Sequence, residues 1–86
     1  MIYLEKKDED YFVFSGRYFP ERSVVYTLPD GYAVIGADNG DLRICCGDQV
    51  GDRVRFSQNA SVIIVGLNLV AIKDIYVDDE ITFGYG

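Results

Sequence analysis

Histidine is absent from this chain of 86 residues, and cysteine and basic side chains are scarce. Without histidine, a general base, a metal ligand or a nucleophile–histidine pair has to be built from other side chains, which excludes most hydrolase mechanisms. The two cysteines, Cys45 and Cys46, are adjacent, and neighbours in an extended strand point to opposite faces. They are therefore poorly placed for a disulfide or a shared metal. We expect reduced thiols, one in the core and one near the surface, and no metal site.

The charge is acidic, since 8 basic residues stand against 14 acidic ones and the formal net charge is −6. Nucleic acid requires lysine and arginine to displace counterions, so no nucleic-acid partner is expected, whereas a basic or lysine-bearing protein would be tolerated. The apolar runs are too short to span a membrane. Residues 1–10 also lack the pattern of a signal peptide. These features predict a cytoplasmic, intracellular protein without membrane contact.

The pattern of residues predicts one all-β domain, residues 1–86, with little or no helix. Aromatic and β-branched residues are frequent, glycines are scattered, and no long helical periodicity occurs. Turn signals lie at 28–31, at the Asn-Gly of 38–41 and at Gly66. The strands are expected at residues 2–4, 11–14, 32–36, 42–46, 61–65, 68–72 and 81–83, with a further β-branched strand at the end of the segment 14–26.

The C-terminal segment, residues 71–86, contains a strand, a bend and a second strand. We expect Val70 and Ile72 to leave a buried strand, Ile75 to lie under the sheet, and the acids at 78–80 to stay in water because buried unpaired carboxylates are costly. Residues 14–26 repeat this pattern in nearly the register of 70–82, with a basic residue two positions before a large apolar one. The two units predict an internal pseudo-repeat whose halves pack on each other.

Several segments resemble, in order along nearly the whole chain, the SET domain. Residues 51–56 (GDRVRF), 59–60 (NA), 70–75 (VAIKDI) and 79–86 (DEITFGYG) are similar to the family's Arg-Phe, Asn-Ala, Ala-Thr-Arg-Asp-Ile and Gly-Glu-Glu-Ile-Thr-Phe-Asp-Tyr-Gly motifs. The amino-terminal half is similar more loosely, at residues 13–15, 17–20 and 23–26.

The resemblance implies a β-clip of short curved strands and hairpins and, in active members, protein-lysine N-methylation from S-adenosylmethionine. Tyr85 falls on the catalytic tyrosine, and Phe83 with Tyr85 falls on the channel for the substrate lysine. Asn59, Arg55 and Phe56 fall in the cofactor-binding segment. A tyrosine hydroxyl can orient a lysine amine for in-line attack on a methylsulfonium, with most of the rate coming from positioning and charge complementarity.

Both cofactor motifs of the family differ in this chain. Only two residues, 57–58 (SQ), stand between Phe56 and Asn59, where the family carries Asn-His-Ser-Cys. The family's Gly-x-Gly loop falls on residues 10–12 (DYF), whose bulky side chains prevent the close backbone approach that glycine allows. These differences favour a relative that does not methylate. Phe83 would then be a core residue, Arg55 a partner of a carboxylate, and Asn59 a turn residue.

The repeated unit is also similar to the SAF-type β-clip of antifreeze-like domains, which serves in binding or assembly. The alternative is therefore a non-enzymatic β-clip binding or assembly module without a cofactor. Such a module could form a homo-oligomer through its strand edges. Its contact surface would be formed by exposed aromatic residues, namely Tyr3, Tyr18, Tyr26, Tyr32 and Tyr76.

Overall fold

The computed structural model describes residues 1–36 and 40–84. Within these ranges the chain forms nine β-strands and a 3-10 turn at Gly51–Arg53, which confirms the predicted all-β class. The strands are β1 (Ile2–Lys7), β2 (Asp10–Ser15), β3 (Val24–Thr27), β4 (Ala33–Gly36), β5 (Leu42–Cys45), β6 (Arg55–Phe56), β7 (Val62–Val65), β8 (Asn68–Ala71) and β9 (Thr82–Gly84).

The strands form two sheets. β1 and β2 are an antiparallel hairpin closed by Asp8 and Glu9, whose φ angles of 51° and 71° are both positive, as a type I′ turn requires. The other seven strands form one sheet in the order β3-β8-β7-β9-β6-β5-β4. β9 lies at its centre, parallel to both β6 and β7, while the remaining pairs are antiparallel. The last strand therefore joins two antiparallel halves of the sheet.

Two predicted hairpins form. β7 and β8 meet at Gly66, whose φ is 61°, and β4 pairs with β5. Residues 38 and 39 of the predicted turn at 38–41 lie outside the described residues. In the loop before β6 the Asp48 carboxylate accepts the Gly51 N–H at 2.8 Å, next to the 3-10 turn.

The hydrophobic core draws on both sheets, with Val13 from β2 and residues such as Leu69 and Phe83 from the larger sheet. In β8 the buried residues are Leu69 and Ala71, so the expectation that Val70 and Ile72 would end its buried face is wrong by one position. Ala71 is opposite the buried Val62 of β7. The residues that alternate with the buried ones point to the other face of the strand, away from the core. The fully or nearly buried apolar residues are Val13, Phe19, Val25, Leu28, Ile44, Val54, Val62, Leu69, Ala71, Ile75, Ile81 and Phe83.

Residues 13–28 and 67–81 pair as one antiparallel ribbon that bends twice. At its centre Phe19 and Ile75 exchange backbone hydrogen bonds of 2.8 and 2.9 Å, and both side chains are buried. On one side of this pair the same register holds out to Ile81, which donates to the Val13 carbonyl at 2.8 Å. On the other side it holds to Val24, opposite Val70, and shifts by one residue between Val24 and Tyr26. The ribbon therefore keeps its pairing across both bends.

The ribbon has an internal twofold arrangement, centred on the bridge between Phe19 and Ile75. Arg22 N–H donates to the Ala71 carbonyl at 2.7 Å, and Asp78 N–H donates to the Ser15 carbonyl at the same distance. Arg22 and Asp78 have φ angles of 75° and 71°, each as the third residue of a turn closed by a hydrogen bond, at 20–23 and 76–79. The two repeated units therefore lie against each other, joined by backbone pairing of their edges.

The first prediction concerns the centre of this ribbon. We expect Ile75→Ala to lower the free energy of unfolding by about 2–5 kcal/mol, since it removes a buried side chain and leaves a cavity. Ile72→Ala is the matched control, because Ile72 is 39% exposed, and it should cost less than about 1 kcal/mol. Urea unfolding followed by circular dichroism measures both values. Equal losses would contradict the central role of Ile75.

Candidate functional site

The structure describes only one of the two residues that the resemblance places at the lysine channel. Tyr85 lies outside the described residues. Phe83 is in the middle of β9, only 2% exposed, and belongs to the hydrophobic core. Its ring meets that of Phe56 edge-on, with 5.7 Å between centroids and 69° between planes. Packing in the hydrophobic core therefore holds the Phe83 ring in place.

The cofactor residues named from the sequence line two neighbouring clefts. Arg55 and Phe56, from β6, line an open cleft of about 570 Å³. Asn59 is exposed and lines a second cleft of about 390 Å³. Ser57 contributes to both. The structure thus brings Arg55 and Phe56 together and places Asn59 apart from them.

The start of β2 reaches the same cleft as Arg55. The Arg53 guanidinium lies 5.0 Å from the centre of the Tyr11 ring, and that of Arg55 lies 4.6 Å from the centre of the Phe12 ring. The Asp10 carboxylate lies 3.7 Å from both guanidinium groups. Each ion pair is about half exposed and contributes little energy alone, but the set fixes β2 against β6. The segments on which the family's two cofactor motifs fall therefore meet here.

The turn between β6 and β7 lies directly against β9. Ser57 N–H donates to the Phe83 carbonyl at 3.0 Å, which ties the turn to the strand. A Cβ placed on Gly84 would come within 2.8 Å of the Ser57 carbonyl oxygen and 2.9 Å of the Ala60 Cβ. Glycine is thus required at 84, because the space between this turn and the strand is too small for one further carbon atom.

A polar cluster that sequence reasoning missed surrounds the 3-10 turn. Asp52 accepts the Cys46 N–H at 2.7 Å, which holds the pKa of the Asp52 carboxyl below its usual range. The Cys46 thiol lies 3.3 Å from the same oxygen, and burial raises its pKa. Cys45 and Cys46 form no disulfide, and both are half-buried. The expectation that one of them would lie in the core is therefore wrong. The raised pKa favours the protonated, unreactive thiol.

Asp48 organises the other side of this cluster. Its carboxylate accepts the Tyr26 hydroxyl as well as the Gly51 N–H. Partial burial, followed by the contact with Asp48, raises the pKa of Tyr26 to about 12. No spacing in the sequence signals the contact of Tyr26 with Asp48, because Tyr26 is in β3 and Asp48 lies in the loop after β5.

The five tyrosines named as a contact surface fall into separate groups. Tyr26 and Tyr32 pack against the core, and the Tyr32 hydroxyl donates to the Gly66 carbonyl at 2.7 Å. Tyr18 and Tyr76 are 43% and 58% exposed and lie with ring centroids 5.4 Å apart on the bend of the ribbon. Tyr3 stacks on a buried ring of β2. The predicted surface is therefore reduced to the pair at the bend.

Carboxylates surround this pair. Partial burial and a hydrogen bond to Asp74 raise the pKa of Tyr18. Asp78 accepts the Tyr3 hydroxyl at 2.7 Å, a bond that raises the pKa of Tyr3 to about 12. Val77, which lies between Tyr76 and Asp78 in the sequence, is also exposed. We call the set of Tyr18, Tyr76, Val77, Asp74, Asp78 and Asp79 the bend surface.

No protein-family model matches the chain, and no curated protein matches it either. Among the residues at 1–36 and 40–84, no helix is long and apolar enough to cross a membrane. In the same residues no group of three or more histidine, cysteine, aspartate or glutamate side chains is arranged to hold a metal ion.

The second prediction is a tyrosine titration. Because the folded-state pKa of Tyr26, about 12, lies above the ordinary value of 10.0, its contribution to stability is complete below pH 10 and is lost as the pH rises towards 12. The difference in tyrosinate absorbance between the wild type and Tyr26→Phe should titrate near pH 12. Asp48→Asn should lower that midpoint. A wild-type midpoint near pH 10 would contradict the hydrogen bond with Asp48.

Proposed function

We propose that this chain is a SET-like β-clip module that binds a basic protein and does not transfer methyl groups. The observation that carries the proposal is the contact of the 57–60 turn with Gly84, where the Ser57 carbonyl and Ala60 leave no room for a side chain. In the SET-like interpretation, a cofactor would be held by this shortened segment beside the strand that leads to Tyr85. The close contact of the turn with Gly84 supports the absence of such a cofactor.

The contacts across the larger cleft support the same proposal. Asp10 is engaged with both Arg53 and Arg55, and both guanidinium groups lie over rings of β2. A cofactor that used Arg55 would have to break these contacts, and it would meet Tyr11 where the family carries a glycine loop. The twice-bent ribbon with its internal twofold is the feature that supports a β-clip architecture for the module.

The bend surface supports the choice of a basic partner. Exposed tyrosine rings present large, rigid contact area, and aromatic residues are enriched in interfaces. A lysine side chain can lay its apolar stem on such a ring while its ammonium group pairs with a carboxylate. Tyr76 has Asp74, Asp78 and Asp79 close to it in the chain, and Asp79 accepts the Tyr76 N–H at 2.9 Å. The net charge of −6 adds long-range attraction to a cationic protein.

A second candidate function is protein-lysine N-methylation from S-adenosylmethionine. One observation favours it: residues from both segments on which the cofactor motifs fall line a single cleft, and its volume of about 570 Å³ is within the ~300–1,000 Å³ of small-molecule sites. In this alternative Arg55 and Phe56 would contact the cofactor. Tyr85 would orient the lysine amine, and Phe83 would line its channel.

Calorimetric titration with S-adenosylmethionine distinguishes the two candidates. For the wild type we expect no heat and no thermal shift at millimolar ligand, with S-adenosylhomocysteine as the second ligand. Micromolar binding that Arg55→Ala abolishes would contradict the proposal and select the methyltransferase. Arg17→Ala is the matched control, because its guanidinium also lies over a phenylalanine ring, 5.1 Å from the centre of Phe19, but outside the cleft.

Titration with an oligolysine peptide tests the basic partner. We expect binding that weakens as salt is raised, and a loss of about tenfold in affinity for Tyr76→Ala, since removing a central aromatic contact costs more than about 1 kcal/mol. Tyr11→Ala is the control, because Tyr11 is an exposed tyrosine in the other site. Equal binding of oligoglutamate, or an unchanged affinity for Tyr76→Ala, would refute the role of the bend surface.

A further inference from the structure

β4 is the outermost strand of the large sheet and pairs, within the described residues, with β5 alone. All four of its residues, Ala33–Gly36, are exposed, including Val34 at 42% and Ile35 at 52%. Adjacent residues of a strand point to opposite faces. Both faces of this edge are therefore apolar and uncovered.

The two edges of the sheet differ in how they are protected. Edge strands are ordinarily blunted by charged side chains, proline or a β-bulge, because an open edge can pair with another strand. β3, at the other edge, has a register irregularity between Val24 and Tyr26 and follows closely on Glu21 and Arg22. β4 has no charge and no proline, and it pairs with β5 in uninterrupted register. Its outer edge is thus ready to pair.

Charge decides which occupant suits this edge. A second copy of the chain also carries −6, so two copies repel wherever their carboxylates meet. β4 itself carries no charge, which lets two copies approach there, and it offers a basic partner no carboxylate of its own. Antiparallel pairing about a twofold axis perpendicular to the sheet would set Val34 opposite Val34 of the second copy and Ala33 opposite Ile35, and such a pairing is self-complementary.

We propose that two copies of this chain associate through antiparallel pairing of their β4 strands, so that one sheet continues across both. A pair of four-residue strands is small beside the ~1,200–2,000 Å² that stable complexes bury, so the dimer forms at high protein concentration. Each copy carries a net charge of −6, and salt strengthens the dimer by screening the repulsion between the two copies. This association shares no residue with the bend surface and does not depend on the proposed function.

Sedimentation equilibrium over a range of protein concentrations, at low and high salt, tests this proposal. We expect a concentration-dependent monomer–dimer equilibrium that shifts towards dimer at high salt. Ile35→Lys should weaken it by at least about tenfold, because lysine is a natural protector of edge strands. Val24→Lys is the matched control and should leave the dimer unchanged. Val24 lies on the other edge of the sheet and, at 51%, is as exposed as Ile35.

A second variant tests the same strand in case Ile35→Lys does not fold. The double variant Val34→Thr with Ile35→Thr keeps β-branched side chains but removes apolar surface, so it should remain folded by circular dichroism and also weaken the dimer. A wild type that stays monomeric at every concentration and salt would overturn the proposal. So would a dimer that persists in the folded variants, or one that Val24→Lys weakens as strongly as Ile35→Lys.

Discussion

The reciprocal backbone hydrogen bonds between Phe19 and Ile75 are the constraint on which the rest of the structure depends. The pair lies between two bends, where the ribbon would otherwise lose its register, and both side chains anchor it in the core. Because each residue serves as donor and acceptor to the other, the pair fixes the register from which both arms continue.

Equivalent backbone turns carry different chemistry at their two positions. The turn at 20–23 presents proline, a charge pair and serine, whereas the turn at 76–79 presents tyrosine, valine and two aspartates. The same geometry thus supplies a neutral bend on one arm and an aromatic, acidic bend on the other. In both arms the ribbon holds the strands of the larger sheet in place. Differences in function between the arms therefore come from side chains and leave the scaffold unchanged.

Much of the local structure could be predicted from the residues, and the long-range arrangement could not. The repeat was visible because a cation stands two positions before an apolar residue in both units, at Arg17 and Lys73, and the hairpin at Gly66 followed from its turn chemistry. The insertion of β9 between β6 and β7 has no local signal, because parallel pairing depends on distant segments. The hydrogen bond of Asp48 with Tyr26 was missed for the same reason, since 22 residues separate them.

β9 also has a mechanical consequence. On one side of it lies the unit of β7, β8 and β3, on the other the unit of β6, β5 and β4, and within the sheet β9 is what joins them. Each unit is built from antiparallel neighbours, and the backbone pairing that makes them one sheet passes through β9, which has three residues. A change that breaks the pairing of β9 would therefore divide the sheet into two antiparallel units, so the continuity of the sheet depends on one of its shortest strands.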